Sequence, residues 1–157
     1  GQGGLFTSPD DGEKLITRQK DLLDNATPSA NSSAAWALYR LAALTGEARY
    51  ANHADQILRL LARAIPQAPS AFSQALAAVA LRSAGTTEIV ITGDRPDLLA
   101  EVRRRWLPDA VLAWGEQGDG PLWAGRDDGL AFVCHDRVCN LPVATVEALA
   151  GQLEDLR

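Results

Sequence analysis

The sequence predicts a mixed, α-rich fold in which helices come first and a small α/β unit comes last. Two observations carry this. Between residues 32 and 83, apolar residues, many of them alanine, recur at helical spacing in three stretches punctuated by glycine and proline. From Thr86 onward the pattern changes to short β-branched runs flanking one further helix. The change divides the chain into residues 1–85 and 86–157.

Residues 1–31 read as loop, dense in Gly, Pro, Asp, Asn and Ser, with Leu15-Ile16-Thr17 as the one strand-like run. A loop this long is either functional or poorly ordered. Residues 32–45 read as a helix, with Ser29 or Asn31 as N-cap and Gly46 at the position past the end where glycine is favoured. It is apolar nearly all round, from Ala34, Ala35 and Trp36 to Leu41 and Leu44, so it should be buried on more than one side. A second helix is predicted over 47–65, with Tyr50, Ala54, Ile57, Leu58, Leu61 and Ile65 at helical spacing and Pro66 ending it. His53 within it reads as a partly buried structural histidine. A third is predicted over 70–83, with Phe72, Leu76 and Val79 on one stripe and Gly85 closing it. The short links predict antiparallel neighbours, that is, α-hairpins.

Glu88-Ile89-Val90-Ile91-Thr92 then reads as a strand, followed by a helix over about 96–106 with Asp94 as cap and Pro96 in its first turn. Val111-Leu112-Ala113-Trp114 is a second strand. Strand, helix, strand at this spacing is a βαβ unit, which implies parallel pairing. Residues 115–129 are loop and 130–134 a third strand. Residues 145–156 form a last helix with Thr145 as N-cap and Val146, Leu149, Leu153 and Leu156 along one stripe.

Composition excludes several classes of function. Of the 157 residues, 46% are hydrophobic and 22% charged, which allows a packed core and excludes wholesale disorder. A net charge of -5 argues against a nucleic-acid backbone or an anionic membrane as the main partner. No apolar run approaches the roughly 20 residues of a membrane span. Two cysteines do not make a disulfide-stapled mini-domain. The start Gly1-Gln2-Gly3-Gly4 and the absence of methionine suggest a piece of a longer protein without a signal peptide, and the excess of arginine over lysine suits a bacterial, cytoplasmic one.

Three constellations bear on chemistry. Residues 20–32 pack Lys20, Asp21, Asp24, Asn25, Ser29, Asn31 and Ser32 ahead of a helix. Such a cluster either binds a polyhydroxylated or anionic ligand at the helix N-terminus, or serves only as caps and turns. Cys134-His135-Asp136-Arg137-Val138-Cys139 is the second. With Asp136-Arg137 as a two-residue hairpin loop, His135 faces Val138 and Cys134 lies opposite Cys139, within reach of a disulfide. The pair is therefore a cross-strand disulfide, a redox-labile thiol pair, or two buried thiols acting as small hydrophobes. A metal site is not expected, since it needs about four ligands and only His135 and Asp136 lie nearby. Third, Thr92-Gly93-Asp94 follows a strand but lacks any phosphate-loop motif, and reads as ordinary loop chemistry. The Asn-x-Ser/Thr matches at Asn25 and Asn31 matter only in a secreted chain. No nucleophile–base motif and no cofactor fingerprint is present.

Several stretches together carry a family resemblance: Gly3-Gly4-Leu5-Phe6, Asp10-Asp11, the run from Lys20 to Ser32 containing Asp24-Asn25-Ala26-Thr27-Pro28-Ser29-Ala30-Asn31-Ser32, Leu41 to Gly46, and Ala131-Phe132-Val133-Cys134 with Cys139 and Leu141-Pro142-Val143. In this order they resemble the C-terminal part of the spermatogenesis-associated protein 20 / YyaL family of thioredoxin-domain-containing proteins. The resemblance implies that residues 1–85 supply the last hairpins of an incomplete α/α toroid of the six-hairpin glycosidase kind. It implies a pocket at the toroid's end for a polar, sugar-like small molecule, with Lys20, Ser29, Asn31 and Ser32 binding it. Asp21 and Asp24 would be the candidate catalytic carboxylates. The family usually has Gly at the position of Ala30 and Pro at that of Gln19. Ala30 resists positive φ, which predicts a rearranged loop. The family's thioredoxin-like domain lies outside this chain and would be its partner. Whether the chain is an enzyme stays open. It is a small-molecule site, a non-catalytic scaffold for the thioredoxin-like domain, or a redox accessory using Cys134 and Cys139. Helices apolar all round, cut from a ring, also predict self-association.

Overall fold

The structure, a computed structural model, describes residues 3–12 and 16–156. These form two compact units, one of residues 1–42 with 47–84, the other of 43–46 with 85–157. Part of the strand expected at Leu15-Ile16-Thr17 lies outside the described residues. Ile16 and Thr17 form a bend, with Ile16 fully exposed.

The first unit holds α1 (Ala30–Thr45) as far as Ala42, α2 (Ala48–Leu61), two short 3-10 helices (Ile65–Gln67 and Pro69–Phe72) and α3 (Ser73–Ala84). Gly46 and Gly85 follow α1 and α3 with φ of +76° and +84°, as the sequence predicts for helix ends. α2 stops a turn earlier than its apolar pattern suggests. Proline at 66 would clash with the carbonyl of Ala62 in a continued helix and disfavours helical geometry at Ile65, so the chain tightens into 3-10 turns instead. The core combines Tyr39, Ile57, Leu58, Leu61, Phe72 and Leu81 with the fully buried alanines Ala35, Ala54, Ala75 and Ala78, whose small side chains let helix surfaces approach closely. On α3 the buried stripe is Ala75, Ala78 and Leu81, continuing from Phe72. Leu76 is exposed, because the contact selects alanine's size over leucine's hydrophobicity. α1 likewise buries one apolar stripe, at Ala35, Tyr39 and Ala43, and leaves Ala37 and Leu41 exposed, against the expectation of burial on several sides. One polar chain ties the three helices. Tyr39 donates to Asp55 Oδ1 at 2.5 Å, and Arg82 Nε donates to the same oxygen at 2.6 Å. The Arg82 hydrogen bond, opposed by burial and helped by Tyr39, holds the Asp55 carboxyl below the usual aspartate range.

The second unit is a four-stranded sheet, β1 (Thr87–Thr92), β2 (Ala110–Gly115), β3 (Ala131–His135) and β4 (Val138–Cys139), in the order β2-β1-β3-β4. α4 (Pro96–Arg103) connects β1 to its parallel neighbour β2, as the βαβ reading requires, and β3 pairs antiparallel to β1. α4 and α5 (Val146–Glu154) cover one face, packing Leu98, Leu99, Val102, Leu149 and Leu153 on Ile89, Ile91 and Val133. The other face gathers Val90, Phe132 and Cys134 with Leu122. β1 is buried along its whole length, Glu88 included. The Thr145 hydroxyl caps α5 by accepting from the Ala148 N–H at 3.3 Å, as predicted. Asp94 does not cap α4. Arg95 occupies that position, without a side-chain cap. Among the described residues, no helix is long and apolar enough to cross a membrane.

Candidate functional site

The polar run ahead of α1 is a knot of helix caps. The Ser29 hydroxyl accepts from the Ser32 N–H at 3.1 Å and donates to Ser32 Oγ at 2.8 Å, so Ser29 is the N-cap of α1. Asp21 Oδ2 accepts from the Ala30 N–H at 2.8 Å. Asp24, buried, reaches two helices at once. Its Oδ1 accepts from the Ser29 N–H at 2.8 Å, while Oδ2 accepts from the Gln74 and Ala75 N–H groups of α3 at 2.8 and 3.3 Å. Burial pushes this carboxyl up, but the N–H of Ser29, the Ser32 hydroxyl and the N–H groups of Ala75 and Gln74 outweigh it and hold it below the usual range. Asn31, fully buried, is not a cap. Its amide group exchanges hydrogen bonds with Leu5, Oδ1 accepting from the N–H at 2.6 Å and Nδ2 donating to the carbonyl at 3.0 Å, and Nδ2 also donates to the Asp21 carbonyl at 2.7 Å. Ala30 opens α1 without the positive φ that would have strained it.

The knot holds down one wall of a cleft. Gly3 and Gly4 lie on α2 with φ of +76° and +74°. A Cβ at Gly3 would meet the Gln56 carbonyl oxygen at 2.6 Å, and one at Gly4 would meet a Leu60 methyl at 2.8 Å, so side chains are excluded there. Beneath Gly3–Phe6 opens a cavity of about 590 Å³ between α1 and α2. Its floor is Ala34, Ala37, Leu38, Leu41 and Ile57, and its polar groups are Lys20, His53 and Gln56. The Lys20 ammonium bonds the Gly3 carbonyl and stands 4.7 Å from the centre of the Phe6 ring. Of the residues singled out in the loop, only Lys20 lines this cavity. Ser29, Asn31, Ser32 and Asp24 do not line it, and Asp21 lines a second hollow of about 430 Å³ together with Asn25 and the same Lys20. His53 is exposed at the rim and not partly buried as expected. The cavity escapes sequence reading because its floor is a side of α1, a helix whose all-round apolar composition predicts burial there.

In the second unit the hairpin forms in the predicted register. Cys134 pairs with Cys139 and His135 with Val138, and Asp136 and Arg137 both take the positive φ of a two-residue turn, 47° and 68°. The cysteines are joined as a disulfide, with Cys134 buried and Cys139 exposed. Two charged residues attend it that sequence reasoning passes over. Arg126, from the 115–129 loop, places Nη2 3.4 Å from Cys134 Sγ and 3.5 Å from Cys139 Sγ, with its guanidinium 4.5 Å from the centre of the Phe132 ring. Glu88 lies opposite Cys134 in the β1–β3 ladder and accepts from the Arg137 N–H at 3.1 Å. Burial raises the Glu88 carboxyl above its usual range and lowers the Arg126 guanidinium. An acid inside a β-branched run was the available signal for Glu88. Arg126 had none. Thr92 closes the loop before β3, its hydroxyl donating to the Asp127 carbonyl at 2.7 Å and accepting from the Leu130 N–H at 3.0 Å. Among the described residues no group of three or more His, Cys, Asp or Glu side chains could hold a metal ion.

Fold and sites together define a mixed α/β chain with an apolar, lysine-edged cleft in one unit and an arginine-flanked disulfide in the other. The chain is similar to the spermatogenesis-associated protein 20 of Homo sapiens, with 29% identity over an alignment of 159 positions that covers 90% of this chain and 20% of that protein. The rat (Rattus norvegicus) and mouse (Mus musculus) proteins of the same name are 28% and 26% identical over the same share. The resemblance read from Lys20–Ser32 and Ala131–Val143 therefore extends over nearly the whole chain, which spans about a fifth of the length of these curated relatives. No protein-family profile matches the chain, and no solved structure does.

Proposed function

We propose that the chain is the C-terminal part of a longer protein of the spermatogenesis-associated protein 20 type, and that its first unit binds a sugar-like small molecule in the cleft beneath Gly3–Phe6. The make-up of that cleft supports this reading. The aliphatic floor suits the C–H face of a sugar ring and Phe6 adds an aromatic surface, while Lys20, His53 and Gln56 are placed to hydrogen-bond hydroxyls at the edge. In the longer protein α1, α2 and α3 would be the last helices of an α/α toroid, with a thioredoxin-like domain as partner. The reading is one of binding rather than hydrolysis. Glycoside cleavage needs two carboxylates disposed across the scissile bond, whereas Asp24 and Asp21 accept from backbone N–H groups as caps. Titration calorimetry of the longer protein against a panel of mono- and disaccharides tests it. Lys20→Ala is expected to weaken the best ligand about tenfold, the loss of one charge-assisted contact. Asp21→Asn is expected to leave its affinity within about twofold. A panel without a binder, or a Lys20→Ala variant that binds as tightly, overturns the proposal.

The exposed apolar side chains of this unit outside the cleft, Ile16, Leu23 and Leu76, are the kind of surface that further helices of a ring would cover. In isolation the 157-residue chain is expected to pair with itself. Light scattering at high concentration checks this, and a clean monomer counts against the toroid reading.

A further inference from the structure

We propose that Cys134–Cys139 is an exchangeable disulfide, attacked at Cys139 by a dithiol, with Arg126 holding the Cys134 thiolate that departs. The inference is independent of the ligand cleft.

Access sets the direction. Thiol–disulfide exchange is an in-line displacement, so the attacked sulfur must be reachable from the side away from its partner. Cys139 is exposed on a two-residue edge strand beside Val138, itself 78% exposed, whereas Cys134 is only 2% exposed, within β3. The leaving group is therefore the buried sulfur, and an unpaired buried thiolate would be costly. Arg126 meets that need. Its Nη2 already lies within hydrogen-bonding distance of Cys134 Sγ, and the group is fixed by the Phe132 ring and by a bond from its Nε to the Leu122 carbonyl. Guanidinium groups beside cysteines favour the thiolate. Glu88, opposite Cys134, accepts from the Arg137 N–H and so ties the hairpin turn to β1 while the disulfide opens.

The step balances with a dithiol as reductant. One reagent thiol, having lost its proton to water, attacks Cys139 Sγ. A bond forms between reagent and Cys139, the Cys134–Cys139 bond breaks, and the electron pair leaves on Cys134 Sγ beside Arg126. The reagent's second thiol, also deprotonated by water, then attacks the reagent sulfur bound to Cys139. A cyclic disulfide departs, and the Cys139 thiolate takes a proton from water. The reagent is oxidised by two electrons and the protein disulfide is reduced by two.

Two measurements test this. In the first, the unaltered chain is treated briefly with glutathione, a monothiol whose mixed disulfide is resolved only in a further encounter with a second glutathione molecule, and is then quenched at neutral pH with a large excess of iodoacetamide. Mass spectrometry is expected to find glutathione on Cys139 and the carbamidomethyl group on Cys134. The reverse placement, or no opening of the disulfide, overturns the proposal without any variant. In the second, the equilibrium with dithiothreitol is measured for Arg126→Gln and Arg126→Lys. Arg126→Gln is expected to disfavour the reduced form by about tenfold and Arg126→Lys to restore most of it. An equilibrium constant unchanged in Arg126→Gln overturns the role given to Arg126.

Discussion

Replacing Asp24 with alanine is expected to destabilise the helical unit by about 3–5 kcal/mol, the cost of stranding several charge-assisted hydrogen bonds in a buried place. One carboxylate serves two helix N-termini, accepting from the Ser29 N–H ahead of α1 and from the Gln74 and Ala75 N–H groups in the first turn of α3. Its removal leaves those donors without water or partner, and it takes a negative charge from two positive helix ends. Urea unfolding followed by far-ultraviolet circular dichroism measures the loss. Asp24→Asn should cost less, since one oxygen remains to accept. The pH dependence follows from the depressed carboxyl. The folded value lies below the unfolded one, so the stabilisation is complete above the ordinary aspartate value of 3.8 and is lost as pH falls through the folded value. Asp55, also depressed, by Arg82 first of all, contributes in the same direction. The native chain should therefore lose stability on acidification, and Asp24→Asn should lose less of it. A midpoint shift in Asp24→Ala worth under about 1 kcal/mol would show that the knot at Asp24 does not hold the helices.

What was legible in the sequence was local. Thr145, Gly46 and Gly85 announce helix boundaries because capping and left-handed geometry depend on one or two residues. The Cys134–Cys139 register is legible for the same reason, since a two-residue turn leaves one pairing. What was not legible depends on distance in space. Asp24 contacts Gln74 fifty positions away. Arg126 reaches a disulfide through a loop without periodicity, and the cleft exists because α1 turns Leu41 outward where its composition predicts burial. The run at residues 20–32 was legible as polar chemistry, but its residue types suit capping and ligand binding equally. Only placement separates Lys20, which lines the cleft, from Asn31, which bonds Leu5 in its wall.

That separation leads to the second large effect. Asn31→Ala is expected to cost about 2–3 kcal/mol and to free the Gly3–Phe6 wall of the cleft, although Asn31 does not line the cavity. The Asn31 side chain is the link that fixes Leu5 by both its N–H and its carbonyl while also bonding the Asp21 carbonyl. Alanine keeps the helix but supplies neither donor nor acceptor. Asn31→Asp should be at least as damaging, because a carboxylate oxygen would then face the Leu5 and Asp21 carbonyls across distances of 3.0 and 2.7 Å. Hydrogen exchange resolves the claim by residue. In both variants the amides of Leu5 and Thr7 should exchange faster than in the native chain, while those of α2 and α3 keep their protection. Asp24→Ala should instead loosen the starts of α1 and α3. A uniform loss of protection in Asn31→Ala would make Asn31 a general core residue. Unchanged exchange at Leu5 would mean that Gly3 and Gly4 hold the wall by their own fit against α2.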